Sequence, residues 1–248
     1  MGESYEERYT EVEIVGAGSY GRVHAGVAML VESVPEKRKL VAKKIKLGSL
    51  KEKKRQTVLD EVKILKTLRH FNIVSYEESL LTDTQLVIIM EYCASGDLAR
   101  VLQGYKDRNE RIPEQQVLSW FAQMSLALNY LHGKHILHRD IKPSNVYLTA
   151  EGTIRLGDFG IAKVLESTAD LAHSFTGTFN YMSPEAMESQ PYSMKSDVWA
   201  LGCVLYEMCT LRPAFPEVGL IALAKAVANE EVAPIPDIYS PAVWRLIQ

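Results

Sequence analysis

Apolar and polar residues alternate with period two along the first part of the chain. Val12 and Ile14, then Val23, Ala25 and Val27, then residues 40–47 read as three strands of a half-buried sheet. The charged stretch Glu32-Ser33-Val34-Pro35-Glu36-Lys37-Arg38-Lys39 between the second and third is a turn and not a linker. The period then lengthens. Over residues 55–68, Val58, Val62, Leu65 and Leu68 fall on one helical face, and Glu61 lies within that stripe. A carboxylate there needs a cation to meet it. Residues 86–90 form another strand, which Cys93-Ala94-Ser95-Gly96-Asp97 ends before the chain turns helical. Pro113 opens a long helix carrying Val117, Trp120, Phe121, Met124, Leu128 and Leu131. Residues 145–148 and 153–156 predict a hairpin around Ala150-Glu151-Gly152. Residues 197–208 are apolar almost all round, which predicts a central buried helix. Strands first and helices later predict an α+β protein with two lobes.

Composition narrows the class. Of 248 residues, 47% are hydrophobic and 24% charged, which excludes a disordered or fibrous chain. A net charge of −3 gives no basis for nucleic-acid binding. Cys93, Cys203 and Cys209 are too few for a disulfide framework and read as free thiols of a reducing compartment. The acidic first residues are not a signal peptide, and Glu6 stands where a myristoylation signal after Gly2 needs Ser or Thr. The longest apolar run, residues 198–205, is too short to span a bilayer. The expectation is an intracellular chain with neither a nucleic-acid nor a membrane partner.

Three segments carry chemistry. Gly16-Ala17-Gly18-Ser19-Tyr20-Gly21-Arg22-Val23 is glycine-rich, and glycines let backbone amides approach a polyphosphate. Strand-type alternation continues after it, so the glycines bridge two strands; an ordinary hairpin turn is the competing reading. In the strand Val41-Ala42-Lys43-Lys44-Ile45, Ala42 and Lys44 share one face. Ala42 leaves room beside Lys44 for a planar ligand, and Glu61 is the expected anion for Lys44. Two solvated lysines are the alternative. The third segment decides: His138-Arg139-Asp140-Ile141-Lys142-Pro143-Ser144-Asn145 crowds ionisable groups between apolar flanks. The hairpin returns the chain so that Asp158, of Asp158-Phe159-Gly160, faces the same site as Asn145. Their oxygens are the hard ligands that Mg²⁺ prefers.

These segments, in this order and spacing, resemble the eukaryotic protein kinases over essentially the whole chain. Ser183-Pro184-Glu185 stands where that family usually has Ala-Pro-Glu. Met90-Glu91-Tyr92-Cys93 with Gly96-Asp97-Leu98, Leu156-Gly157-Asp158-Phe159-Gly160, Tyr181-Met182-Ser183-Pro184-Glu185 and Asp197-Val198-Trp199 with Leu201-Gly202-Cys203 resemble the NIMA-related (NEK) Ser/Thr kinases.

The resemblance implies a bilobal α+β kinase fold over residues 1–248, with a small antiparallel sheet lobe with one key helix at 1–92 and a mainly helical lobe at 93–248. It implies ATP and Mg²⁺ as cofactors and Ser/Thr hydroxyls of protein substrates as acceptors. Lys44 would hold the phosphates with Glu61 fixing its ammonium. Asp140 would take or orient the substrate hydroxyl proton, Lys142 would neutralise the transferring phosphoryl group, and Asn145 and Asp158 would bind metal. Gly16, Gly18 and Gly21 would form a flap over the phosphates. Val23, Ala42 and Tyr147 would sandwich the base, Met90 would guard the back pocket, Glu91 to Cys93 would offer backbone bonds, and Asp97 would reach the ribose. The NEK kinases generally carry Phe at the place of Tyr147, so its hydroxyl needs a partner. Lys142 and Thr178 match the Ser/Thr pattern, while Phe179 and Asn180 depart from the Pro-Tyr more typical of NEK kinases. Ser174 is the expected activating phosphosite, with Arg139 as a phosphate partner. By analogy alone the setting is cytoplasmic, at the cytoskeleton, centrosome, cilium or nucleus, with cytoskeletal or centrosomal partners and dimerisation through regions outside this chain. The alternatives are a pseudokinase scaffold, disfavoured because Lys44, Asp140 and Asp158 are present, and a small-molecule kinase, disfavoured by the full 177–185 segment. The helical lobe is expected to lack its last helices, leaving Glu185 without the arginine that usually pairs with it.

Overall fold

The structure is a computed structural model describing residues 4–17, 27–48, 52–82, 84–158, 178–216, 220–228 and 232–248. The described residues fall into two compact units that divide between Cys93 and Ala94. An antiparallel sheet with one long helix makes the first, and helices dominate the second, as a bilobal kinase fold requires.

The first unit opens with a single helical turn, α1 (Tyr5–Arg8), held by a capping box between Ser4 and Glu7. Five strands follow: β1 (Tyr9–Ala17), β2 (Val27–Ser33), β3 (Lys39–Lys46), β4 (Tyr76–Leu81) and β5 (Gln85–Glu91), in the sheet order β1-β2-β3-β5-β4. The helix α2 (Glu52–Leu65) lies between β3 and β4 in sequence. It ends three residues earlier than the periodicity predicts. The Thr67 hydroxyl donates back to the Ile64 carbonyl at 2.7 Å, and tight turn bonds from Thr67 and Leu68 replace the helical ladder. Leu68 is nonetheless buried, which is why it fitted the stripe. Of the expected 23–27 strand, only Val27 onward lies within the described residues.

The second unit is built around two long helices, α4 (Glu114–Gly133) and α6 (Met194–Thr210), preceded by α3 (Leu98–Asp107). Val117, Trp120, Met124, Leu128 and Leu131 of α4 are buried, as the pattern predicts. So are Leu201, Val204, Leu205 and Met208 of α6. Between the long helices in sequence lie the hairpin β6 (Val146–Leu148) and β7 (Ile154–Leu156) and the short α5 (Pro184–Met187). The hairpin is tied to α4 twice: Trp120 Nε1 donates to the Gly152 carbonyl at 3.1 Å, and Gln123 Oε1 accepts from the Ile154 N–H at 2.9 Å. The helices α7 (Leu220–Ala228) and α8 (Pro241–Ile247) complete the unit. The Glu185 carboxylate accepts from the Ser196 hydroxyl at the start of α6. Among the described residues no helix is long and apolar enough to cross a membrane.

Candidate functional site

Strand β3 settles a question of sides. Directly paired residues of an antiparallel ladder project from the same face. Val41 pairs with Met90, Ala42 with Ile89, Lys43 with Ile88 and Lys44 with Val87. Met90 therefore shares its face with Val41 and Lys43, while Ala42 and Lys44 project from the other. This corrects the expected grouping of Ala42, Lys44 and Met90 in one site. Ala42 is fully buried in a cluster with Tyr9, Val31, Leu40, Val87 and Ile89, and Tyr5, Met29 and Leu80 pack against it. The Lys44 ammonium lies over the Tyr5 ring, 4.6 Å from its centroid, and pairs with Glu11. The hydrogen bond from Lys44 holds the Glu11 carboxyl below its ordinary range. The reason for the misreading is plain in the burial: Leu40 and Ala42 are buried on one face, and Ile45 on the other, so both faces of β3 are internal. At the end of β5, Glu91 is tied to Ser75 by its own N–H at 2.9 Å and through its carboxylate at 3.2 Å. Cys93 is buried.

The second unit gathers the remaining candidates. Asp97 caps α3 by accepting from the Arg100 N–H at 2.9 Å, and it bridges Tyr147 of β6. The predicted ribose and base contacts thus sit side by side. In the loop before β6, the Asn145 amide donates to both the carbonyl and the Oδ2 of Asp140, each at 2.7 Å. The Lys142 ammonium lies 2.9 Å from that same Oδ2, with both side chains nearly buried. Backbone pairing of Gly157 N–H to the Asn145 carbonyl, at 3.0 Å, closes the hairpin and leads directly to Asp158. The Tyr147 hydroxyl donates to Asp158 Oδ2 at 2.7 Å, which is the partner its position demands. Asp140, Lys142, Asn145, Tyr147 and Asp158 are therefore brought together on one short hairpin and the loop before it.

The donor set fits a Mg²⁺ ion. The Asn145 amide nitrogen is engaged by Asp140, which directs the hard carboxamide oxygen elsewhere, and Asp158 adds a carboxylate. Among the described residues no three His, Cys, Asp or Glu side chains cluster as a metal cage. Two protein oxygens completed by water and phosphate is the ordinary arrangement for Mg²⁺.

A residue noticed only as part of a motif holds this loop in place. The Asp197 carboxylate, fully buried near the start of α6, accepts from the backbone N–H groups of His138 and Arg139 at 2.9 Å each. It also accepts from the Tyr192 hydroxyl at 2.7 Å and from His132 Nε2 at 2.9 Å. Burial and the Asp197 charge push the Tyr192 hydroxyl far up, so it stays a donor. Arg139 takes a positive φ of 68°, a conformation that L side chains rarely adopt. Its N–H is tied there to Asp197. The available sequence signal was a carboxylate beginning an otherwise apolar helix, which burial makes costly without donors.

His138 is also fully buried, and burial lowers its pKa. Its Nε2 lies 3.1 Å from the Gly157 carbonyl, which only accepts, while its Nδ1 accepts from the Asp140 N–H at 3.3 Å. Both contacts require the neutral Nε2–H tautomer. Imidazole ¹⁵N shifts of His138 should therefore stay those of this tautomer as pH falls through about 6.5, where a solvated histidine takes up its proton. Protonation at that ordinary value would show that the contacts do not persist in solution.

Gly18, Gly21, Val23 and Ser174 lie outside the described residues, as do the side chains of Glu61 and Thr178, and Gly16 is described only as a residue of β1.

The protein kinase domain family matches residues 9–245. The chain is 43% identical over 234 residues to mouse serine/threonine-protein kinase Nek1, covering 94% of this chain and 19% of that relative. It is 42% identical over 241 residues to mouse Nek4, covering 97% and 30%. It is 38% identical over 263 residues to the G2-specific protein kinase fin1 of Schizosaccharomyces pombe, covering 98% and 36%. The chain thus spans well under half the length of these relatives.

Proposed function

Since this chain belongs to the protein kinase family and its similar relatives are Nek kinases, we propose that it transfers the γ-phosphoryl group of ATP to Ser or Thr hydroxyls of protein substrates. The observation that carries this reading is the convergence of Asp140, Lys142, Asn145 and Asp158 within one unit. Asp140, oriented by the Asn145 amide, accepts or directs the proton of the attacking hydroxyl. Lys142, beside it, offsets negative charge on the group in transfer. Asn145 and Asp158 hold Mg²⁺, which supplies charge neutralisation to the phosphates when bound.

On the sheet side, Lys43 takes the place first given to Lys44, and Val41 that given to Ala42. Lys43 and Val41 share the Met90 face. Ile45, Leu86 and Ile88 are buried on that face, outside the cluster around Tyr9. The apolar stripe of α2, Val58, Val62 and Leu65, is buried and outside that cluster as well, which supports its packing on the Lys43 side. By the resemblance to the protein kinases, Glu61 is the anion proposed for Lys43.

The scaffold alternative gains no support, because the residues such proteins usually lose are present. The test is transfer of labelled γ-phosphate from ATP to a mixed protein substrate in Mg²⁺, followed by phosphoamino-acid separation. Phosphoserine and phosphothreonine are the expected products. Label confined to phosphotyrosine, or no transfer at all by the phosphorylated full-length protein, would overturn the reading. The fission-yeast relative is named for G2. We extend from it to a cell-division setting for this chain, checked by assaying its activity across synchronised cells.

A further inference from the structure

We propose that Tyr147 is a positioning residue for the metal-binding carboxylate Asp158, and not only a surface for the base. Tyr147 is the middle residue of β6, and its neighbours Val146 and Leu148 are buried. Period two sends the tyrosine ring to the opposite side of the hairpin from those two anchors. Its backbone is fixed from both directions, paired with Arg155 of β7 and bridged to Asp97 ahead of α3. The hydroxyl therefore ends a rigid lever. It donates at 2.7 Å to Oδ2 of Asp158. A hydrogen bond from a phenol to a carboxylate is short and charge-assisted, and phenylalanine cannot make it.

Asp158 needs such help. Its φ is 50°, in the left-handed region unfavourable to a side chain, so its direction is not set by a regular strand. The Tyr147 bond spends one carboxylate oxygen on orientation. Groups that hydrogen-bond to a metal ligand fix its direction, and their removal typically weakens metal binding about tenfold or more. The ring and the hydroxyl thus have separable tasks: the ring lies where the base is expected, and the hydroxyl serves the metal.

This inference rests on the kinase reading. The experiment measures ADP binding by calorimetry in two arms, one with Mn²⁺ and one with chelator, for wild type and Tyr147→Phe. Tyr147→Phe keeps the ring, so the chelator arm should be unchanged, while the metal-dependent enhancement should fall about tenfold. Equal weakening in both arms would reduce Tyr147 to a packing surface and overturn the proposal. So would an unchanged Mn²⁺ arm. A wild-type protein that binds ADP in neither arm would instead overturn the kinase reading itself, and the assignment with it.

Discussion

Lys43→Met should cut kcat/KM for phosphoryl transfer by about 10²- to 10³-fold, the usual loss on deleting one preorganised charge at a transition state. Lys44→Met should leave turnover nearly intact. The difference follows from one register. Lys43 shares a sheet face with Met90, and Lys44 does not. Lys44 already has a structural post, over the Tyr5 ring and paired with Glu11. Its side chain is 23% exposed and that of Glu11 40%, so the ion pair contributes only about 0–1 kcal/mol. The ring contact adds about another 0.5–1 kcal/mol. Lys44→Met should thus lower the melting temperature by a few degrees, while Lys43→Met loses activity at nearly constant stability. The pair of variants separates the two lysines in a single assay. Activity lost in Lys44→Met and kept in Lys43→Met would reverse the assignment.

The misplacement of the lysine marks where local pattern runs out. Alternation predicted β3 correctly, and helical spacing predicted the buried faces of α2 and α4. The hairpin β6–β7 followed from its turn residues. Each of those readings needs only neighbours within a few positions. Choosing between Lys43 and Lys44 needs the pairing of β3 with β5, some forty residues on, because apolar residues occupy both faces of β3. Glu11 was unreadable as a partner for the same reason: it reaches Lys44 across 33 positions of chain. Tyr147 shows an intermediate case. Its hydroxyl visibly required an acceptor, but the acceptor was named only when the turn between β6 and β7 brought Asp158 alongside. The candidate catalytic loop stood out in the sequence because its ionisable groups are concentrated in eight consecutive residues, 138–145. What positions that loop was not, since its anchor lies 58 and 59 positions away.

That anchor gives the largest stability effect expected in the chain. Asp197→Ala should lower the unfolding free energy by about 3–5 kcal/mol, as loss of a buried charged partner does. The four donors divide evenly between the two oxygens. Oδ1 serves Arg139 N–H and the Tyr192 hydroxyl, and Oδ2 serves His132 Nε2 and His138 N–H. Asparagine keeps one acceptor and turns an NH₂ toward two donors, so Asp197→Asn should rescue little. Tyr192→Phe removes a single bond of the four and should cost only about 1–2 kcal/mol. The activity consequence is larger than the stability alone implies. Without its bond to Asp197, Arg139 has less to hold it at a left-handed φ that costs about 1–2 kcal/mol. Relaxation there moves Asp140, the next residue, out of register with Asn145 and Lys142. Urea unfolding followed by circular dichroism measures the first effect. Phosphoryl transfer measured well below the melting temperature measures the second. An Asp197→Ala protein that unfolds at the wild-type midpoint, or that stays folded and fully active, would show that the loop keeps its shape without this carboxylate.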